Sequence, residues 1–304
     1  MTTMPTLKGF VPEFIEHHSK SKKPSTQLAH KQIINQTLLP LFGDMPLDTL
    51  TRRCGVILTR ECRQRELSAK TTLSHLSVLS MIIKTAYELE LLDQVVKFTR
   101  PKIESAERKY PLTQDAVKSL LQAITNKDLY LMVYMAAYTG MRIGEIRALQ
   151  WKHFRPEDGL SRFMLVAGFS GRSNNLTSGK SKEMRLVKLR GKIVEMLSQR
   201  PRLGDFVFFD SSQPSSLSGP ISYYFCHDAG IVPAAKRAGI WVPEFGFHTL
   251  RHTFGTEMAK LPGMTAFRLQ RIMGHERLST TERYIAIRDE DANGDNDPLG
   301  GVFD

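Results

Sequence analysis

The chain has 304 residues, 41% hydrophobic and 24% charged, enough for one or two domains built around real cores. No apolar run reaches the roughly 18 residues of a membrane span. The opening MTTMPTLKGFVPEF lacks the layout of a secretion signal, and three unclustered cysteines (Cys54, Cys62, Cys226) argue against a disulfide framework and fit a reducing cytoplasm. The formal net charge is +11; the stretch 288–304 contributes −5, so the residues before it carry +16, a balance suited to a polyanionic partner.

Residues 1–98 read as a small bundle of four helices. Ser25 is placed to cap TQLAHKQIINQTLLPLF, which Gly43 ends. Asp48 is placed to cap TLTRRCGVILTRECRQ, and Ser68 to cap AKTTLSHLSVLSMIIKTAYELELL. In that last run Leu73, Leu76, Leu79, Ile83 and Ala86 recur at three- and four-residue steps, the mark of a buried face. The segment 99–112 is charged and contains Pro101 and Pro111, so it reads as a linker. Thr113 then caps QDAVKSLLQAI and opens a second, larger domain over 113–287. Its expected elements are helices over 114–124, 127–138 and 142–149, then two strand-like runs, SRFMLVAGF and EMRLVKL, around the loop SGRSNNLTSGKSK. Helices over 191–200, 221–238, 248–260, 265–273 and 280–287 follow, and the acidic tail 288–304 closes the chain. The expected fold class is mainly α with a small β-hairpin or sheet: an N-terminal helical bundle followed by an α+β domain.

Four segments carry chemistry. In TGMRIGEIRALQW, Gly140 can end a helix in the left-handed region, which puts Arg142 in the first turn of the next helix. Backbone N–H groups and the helix dipole favour an anion there, and a guanidinium adds a planar fork that fits phosphate. Glu145 shares that face and can hold the arginine; alone, the pair reads as an ordinary surface ion pair. In the hairpin loop, Lys180 and Lys182 sit where an ammonium can swing to a ligand, although most loop lysines are simply solvated. In FGFHTLRHTFGTEMAKLPG, His248, Arg251 and His252 share a helix face; no glutamate lies between the histidines and no third ligand stands out, so a metal site is not expected. In LQRIMGHERLSTTERYIAI, Thr265 can start a helix and Gly274 end it, leaving His275 just past the terminus. Ser279 and Glu282 have capping-box spacing, so the next helix is expected from Thr280 with Tyr284 on its second turn. A tyrosine there is a packing residue or a nucleophile. Each segment alone is ordinary. Together they supply two arginines, two histidines, a lysine and a tyrosine, the set that phosphoryl transfer to tyrosine without a metal would need.

In order and spacing, the blocks TGMRIGEIRALQW, GKSKEMRLVKL, HTLRHTFGT and MGHERLSTTERY resemble the tyrosine recombinases, the phage-integrase-type site-specific DNA recombinases. The resemblance runs from about residue 113 to Tyr284; the N-terminal region is similar to the family's core-binding domain by layout rather than motif. VKL and MGH depart from the family's usual V-P-L and L-G-H, and the hairpin loop is long. The resemblance implies a two-domain DNA clamp with Arg142, Lys180 (Lys182 in reserve), His248, Arg251 and His275 catalytic, Tyr284 the nucleophile and Glu145 a positioner. It implies DNA cleavage and rejoining through a 3′-phosphotyrosine, with no metal, cofactor or ATP. The implied partners are double-stranded DNA recombination sites and a homo-tetramer formed on DNA from monomers, with accessory DNA-bending or directionality proteins left open and no membrane. The implied place is a prokaryotic cytoplasm, in association with the nucleoid. Leu299, Val302 and Phe303 of the tail are expected to dock in trans on a neighbouring protomer. Two other readings stay open: a type IB topoisomerase-like nicking and relaxing enzyme, and a non-catalytic DNA-binding regulator that keeps the fold.

Overall fold

The computed structural model describes residues 4–22, 24–102, 111–155, 161–165, 167–169, 176–178, 185–189, 191–209 and 219–292. The chain divides into two compact units, Met1–Arg108 and Lys109–Asp304.

The N-terminal unit is a helical bundle. Thr6 accepts the Gly9 N–H at 3.2 Å and starts α1 (Leu7–Phe14), which continues as a π-helical turn over Ile15–Ser19. α2 (Pro24–Ile33), a π-helical turn over Ile34–Leu38 and α3 (Leu39–Phe42) follow one another up to Gly43. The helix starts at Pro24, one residue before the expected cap Ser25, because a proline at the first helical position has no intrahelical N–H bond to lose. Asp48 is not a cap either. The N–H and hydroxyl of Thr49 both donate to the Pro46 carbonyl, closing a 3-10 turn over Leu47–Thr49, and α4 (Arg52–Gln64) begins only after Thr51. α5 (Ala69–Glu88) does start from Ser68, whose hydroxyl accepts the Thr71 N–H. Leu76, Leu79, Ile83 and Ala86 of α5 are buried against Phe10, Phe14, Leu38, Phe42 and Leu58, while Leu73 is only half-buried.

The second unit opens with α6 (Gln114–Gln122), capped by Thr113, and α7 (Lys127–Thr139), capped by Asn126 and ended by Gly140 at φ 66°. α8 (Ile143–Arg147) follows. The strands are β1 (Phe154–Arg155), β2 (Arg162–Leu165), β3 (Ala167–Phe169), β4 (Leu176–Ser178) and β5 (Arg185–Lys188). β1, β2 and β5 form an antiparallel sheet in the order β1-β2-β5, with buried Phe163 opposite buried Val187. β3 and β4 form a separate antiparallel pair, Ala167 opposite Ser178. The stretch expected to be all loop between the two strand runs therefore contains a strand: backbone pairing to β3 overrides the Asn- and Ser-rich composition around it.

α9 (Gly191–Ser198), α10 (Tyr223–Cys226), a π-helical turn over His227–Ile231 and α11 (Val232–Arg237) come next. α12 (Phe247–Ala259), α13 (Ala266–Met273) and α14 (Ser279–Ala292) follow. α14 differs from expectation at both ends. Ser279 is its first residue rather than its cap, and the helix takes in 288–292 of the acidic tail, where no glycine or proline stops it before Gly294. The main core gathers Met132, Met135, Ile146, Phe163, Phe208, Ile231 and Leu250. A satellite core of Ala259, Met264, Leu269, Met273 and Tyr284 lies among α12, α13 and α14. Among the described residues no helix is long and apolar enough to cross a membrane.

Candidate active site

The site is organised by the end of α13. Gly274, at φ 63°, closes that helix in the left-handed region. Its N–H bonds the Arg271 carbonyl and the N–H of His275 bonds the Gln270 carbonyl, the paired bonds of a Schellman turn. That turn leaves the next three carbonyls, of Ile272, Met273 and Gly274, without helical partners. Three arginines from distant segments take them. Arg185 Nη1 donates to the Ile272 carbonyl, Arg251 Nη2 to Met273 at 2.6 Å, and Arg142 Nη2 to Gly274 at 3.1 Å. The negative end of the helix dipole favours cations here.

The opposite ends of the guanidiniums are also fixed. Glu145 bridges two of them, its Oε1 accepting Arg142 Nη1 at 2.8 Å and its Oε2 accepting Arg185 Nη2 at 2.7 Å. Oε2 also accepts the Arg142 backbone N–H at 2.8 Å, so Arg142 is the residue before α8 rather than one of its first turn. Arg251, only 4% exposed, donates its Nη1 to the carbonyl of Gly140, the residue that ends α7. Each guanidinium thus spends two of its five N–H donors on the protein. Three arginines against one glutamate leave a formal +2.

Burial and charge act oppositely on these groups. Burial alone would raise the Glu145 carboxyl, but the Arg185 and Arg142 charges and the Arg142 N–H outweigh it and hold it below the usual carboxylate range. Burial, then the neighbouring Arg142 charge, pushes Arg251 down to about 9, which leaves it cationic at neutral pH. Burial also lowers His275 to about 3, helped by Arg251, Arg142 and Arg185, so its imidazole is neutral. The same burial raises the Tyr284 phenol, against the pull of Arg251.

Tyr284 lies beside this cluster in the same chain. Its ring is parallel to that of His275, centroids 6.1 Å apart, and the ring of His252 meets it edge-on at 5.2 Å. α14 holds the phenol there by packing on α12 and α13, with Tyr284 itself 5% exposed. The structure therefore brings Arg142, Glu145, Arg251, His275 and Tyr284 together from three separated stretches of sequence. His248 is exposed on the first turn of α12, three residues before Arg251. Lys180 and Lys182 lie outside the described residues, as do 293–304 of the tail and 103–110 of the expected linker.

Two residues of the cluster carried no local signal. Arg185 reads in sequence as one basic position of a strand run, and only the fold sets it between Glu145 and the α13 terminus. Thr281 reads as part of a helix start; its hydroxyl lies 2.9 Å from His275 Nδ1.

A family model described as the phage integrase family matches residues 111–291, and one described as the phage integrase N-terminal SAM-like domain matches residues 6–54. A tyrosine recombinase of Pseudothermotoga lettingae is 28% identical over 200 residues, covering 63% of this chain and 60% of its own length. The chain thus matches less than two thirds of that relative. The fold is similar to that of the Tn1549 transposon integrase in complex with transposon right end DNA, with a TM-score of 0.76 at 19% identity, covering 92% of this chain and 94% of the other. It is also similar to a lambda integrase tetramer bound to a Holliday junction, with a TM-score of 0.72 at 17% identity and 93% and 78% coverage. At such identities the likeness shows a shared fold, while the family model spans more than half of the sequence and takes in every residue of the arginine cluster and Tyr284: the chain belongs to the phage integrase family.

Proposed function

We propose that the protein is a site-specific DNA recombinase that cleaves and rejoins DNA through a covalent 3′-phosphotyrosine. The observation that carries this reading is the convergence of Arg142, Arg251 and His275 beside the phenol of Tyr284 in one chain. The Tyr284 oxygen attacks the phosphorus of a backbone phosphodiester, and the bond to the 5′-oxygen breaks. His248 accepts or shares the phenol proton, and Lys180, with Lys182 as its alternative, protonates the departing 5′-oxygen. Arg142, Arg251 and His275 bind the non-bridging oxygens, and Glu145 keeps Arg142 in place. A phosphodiester carries one negative charge and the pentacoordinate state about two. The formal +2 of the cluster is therefore matched to the transition state more closely than to the substrate, which is the condition for catalysis rather than mere binding. Loss of one such donor raises the barrier by about 3 kcal/mol.

The phosphotyrosine keeps the energy of the broken phosphodiester, so attack by a 5′-hydroxyl of a second duplex rejoins strands without ATP. The family's DNA-bound integrases, one of them a tetramer on a Holliday junction, support double-stranded DNA as the partner and a tetramer on DNA as the working assembly. The N-terminal unit serves as the core-binding domain, and the tail residues Leu299, Val302 and Phe303 dock on a neighbouring protomer. The protein works at the nucleoid of a prokaryotic cytoplasm.

The test begins by selecting bound sequences from random DNA. On a nicked suicide version of the selected site, the wild-type chain should give a covalent adduct on a denaturing gel. Tyr284→Phe should bind the same site and give none. A phenylalanine variant that still cuts and rejoins would overturn the reading. Relaxation of plasmids lacking the site would mark a topoisomerase instead, and binding with no adduct from the wild type would mark a regulator.

A further inference from the structure

The value of His275 as a donor depends on which ring nitrogen holds its proton. The ring is neutral, so it has one N–H to give. Its Nδ1 lies 2.9 Å from the hydroxyl of Thr281, which is 0% exposed. Three other buried threonines turn their hydroxyls back to the carbonyl four residues earlier, Thr72 to Ser68, Thr139 to Met135 and Thr253 to Thr249. Thr281 is the third residue of α14, and among the described residues its hydroxyl has no bonding partner other than His275.

Two proton arrangements fit that distance. If Nδ1–H donates to the hydroxyl, the hydroxyl proton is buried with no acceptor, a costly state. If the hydroxyl donates to Nδ1, both groups are satisfied and the imidazole proton must sit on Nε2. The backbone of His275 is held on both sides, and its ring is buried beside Tyr284. The His275 N–H bonds the Gln270 carbonyl at 3.1 Å, its carbonyl accepts Gln270 Nε2 at 3.1 Å, and its ring lies parallel to Tyr284.

We propose that Thr281 is a positioning residue whose hydroxyl donates to His275 Nδ1, fixes the imidazole proton on Nε2, and so makes the neutral ring a donor to a non-bridging oxygen of the DNA phosphate. The proposal rests on the recombinase reading of the site. Without the hydroxyl the proton redistributes, and the other tautomer offers Nε2 as a lone pair, which repels an anionic oxygen. Thr281 and Tyr284 stand one turn apart on α14, so the helix that presents the nucleophile also sets the donor. Undocking α14 would release both at once.

The test uses the full chain with ring-15N-labelled histidine. Long-range proton–nitrogen spectra, with His275 assigned by its loss in His275→Gln, should show the Nε2–H tautomer in wild type and Thr281→Ser and a mixture in Thr281→Val. On the suicide substrate, single-turnover adduct formation should fall about tenfold or more in Thr281→Val and return to within about threefold of wild type in Thr281→Ser, with DNA affinity unchanged in both. A wild-type ring protonated on Nδ1 would overturn the proposal, and so would wild-type cleavage by Thr281→Val. If the valine variant does not fold, the wild-type spectrum and the serine variant decide the question. If the wild type cleaves no DNA, the recombinase reading fails, while the spectrum still decides the Thr281–His275 bond.

Discussion

Glu145 is held by two guanidiniums that come from opposite directions in the sequence, one three residues away and one forty. Removing either leaves a buried carboxylate short of a partner, which typically costs about 3–5 kcal/mol. Arg185→Met keeps much of the side-chain volume and deletes both the Glu145 bond and the Ile272 bond. Its expected effect is a stability loss of about 3 kcal/mol by urea unfolding, with adduct formation lowered at least about tenfold. Adding Glu145→Gln to Arg185→Met neutralises the stranded carboxylate, so the double variant should lose less stability than the two single losses added together. Strict additivity would mean that the two side chains do not act as a unit. His275 carries a second prediction at this scale. Its folded value is held down to about 3 against an ordinary value near 6.5, so between those limits the unfolded chain binds a proton that the folded chain refuses. The stabilisation is complete above about pH 6.5 and is lost as pH falls toward 3. Burial lowers His18, His30 and His75 in the N-terminal unit with the same sign. Each such histidine can contribute at most about 1.4 kcal/mol per pH unit. Urea midpoints should therefore hold nearly level from pH 7.5 to about 6.5 and then fall toward pH 5, and His275→Gln should flatten part of that slope. A midpoint independent of pH over that range would contradict the neutral assignments.

At the scale of the element, the end of α13 does more than stop a helix. The Schellman turn turns three consecutive carbonyls toward the arginines, and the backbone at Gly274 is what permits it. A Cβ there would sit 2.8 Å from Arg185 Nε, so Gly274→Ala adds a steric clash to left-handed strain of about 1–2 kcal/mol. Gly239 provides the control: its φ is 69°, and a Cβ there would meet nothing within 4 Å. Gly239→Ala should lose about 1–2 kcal/mol of stability from strain alone and Gly274→Ala more than that, and only Gly274→Ala should also lose adduct formation. Equal activity in the two would show that the carbonyl row is not what places the arginines. The same element explains what the sequence could disclose. The caps at Ser68, Thr113 and Thr265 and the stops at Gly140 and Gly274 are contacts spanning only a few residues, so each was legible from its own neighbourhood. Arg142, Glu145, Arg251, His275 and Tyr284 were singled out by motif order and spacing, and the structure brings them together. Arg185 and Thr281 were not legible as members of the site, because their roles exist only once β5 and α14 reach the end of α13. Asp48 failed as a cap because Pro46 closes a competing turn, and β4 was missed because its stability comes from pairing with β3 rather than from its own residues.

At the scale of the whole molecule, charge and tail oppose one another, and that opposition makes the tail testable. The residues before Arg288 carry +16, while 294–304 holds three acids, Asp295, Asp297 and Asp304, together with the apolar Leu299, Val302 and Phe303. Phosphate contacts should dominate DNA affinity and make it fall steeply with salt. Deleting 294–304 removes three negative charges, which on electrostatic grounds alone strengthens the binding of one protomer to one site and helps, or leaves unchanged, the gathering of four. Docking in trans predicts the opposite for assembly, because the deletion removes the apolar residues that bridge protomers. With both forces present, a gel-shift titration should show single-site binding equal to or tighter than that of the full chain, while the tetrameric complex needs about tenfold more protein, the equivalent of about 1.4 kcal/mol. Covalent adduct on an isolated half-site should be unaffected, since Tyr284 and its cluster lie in one chain. Tetramer formation that strengthens in step with single-site binding would leave the tail a purely electrostatic role and remove the docking proposal.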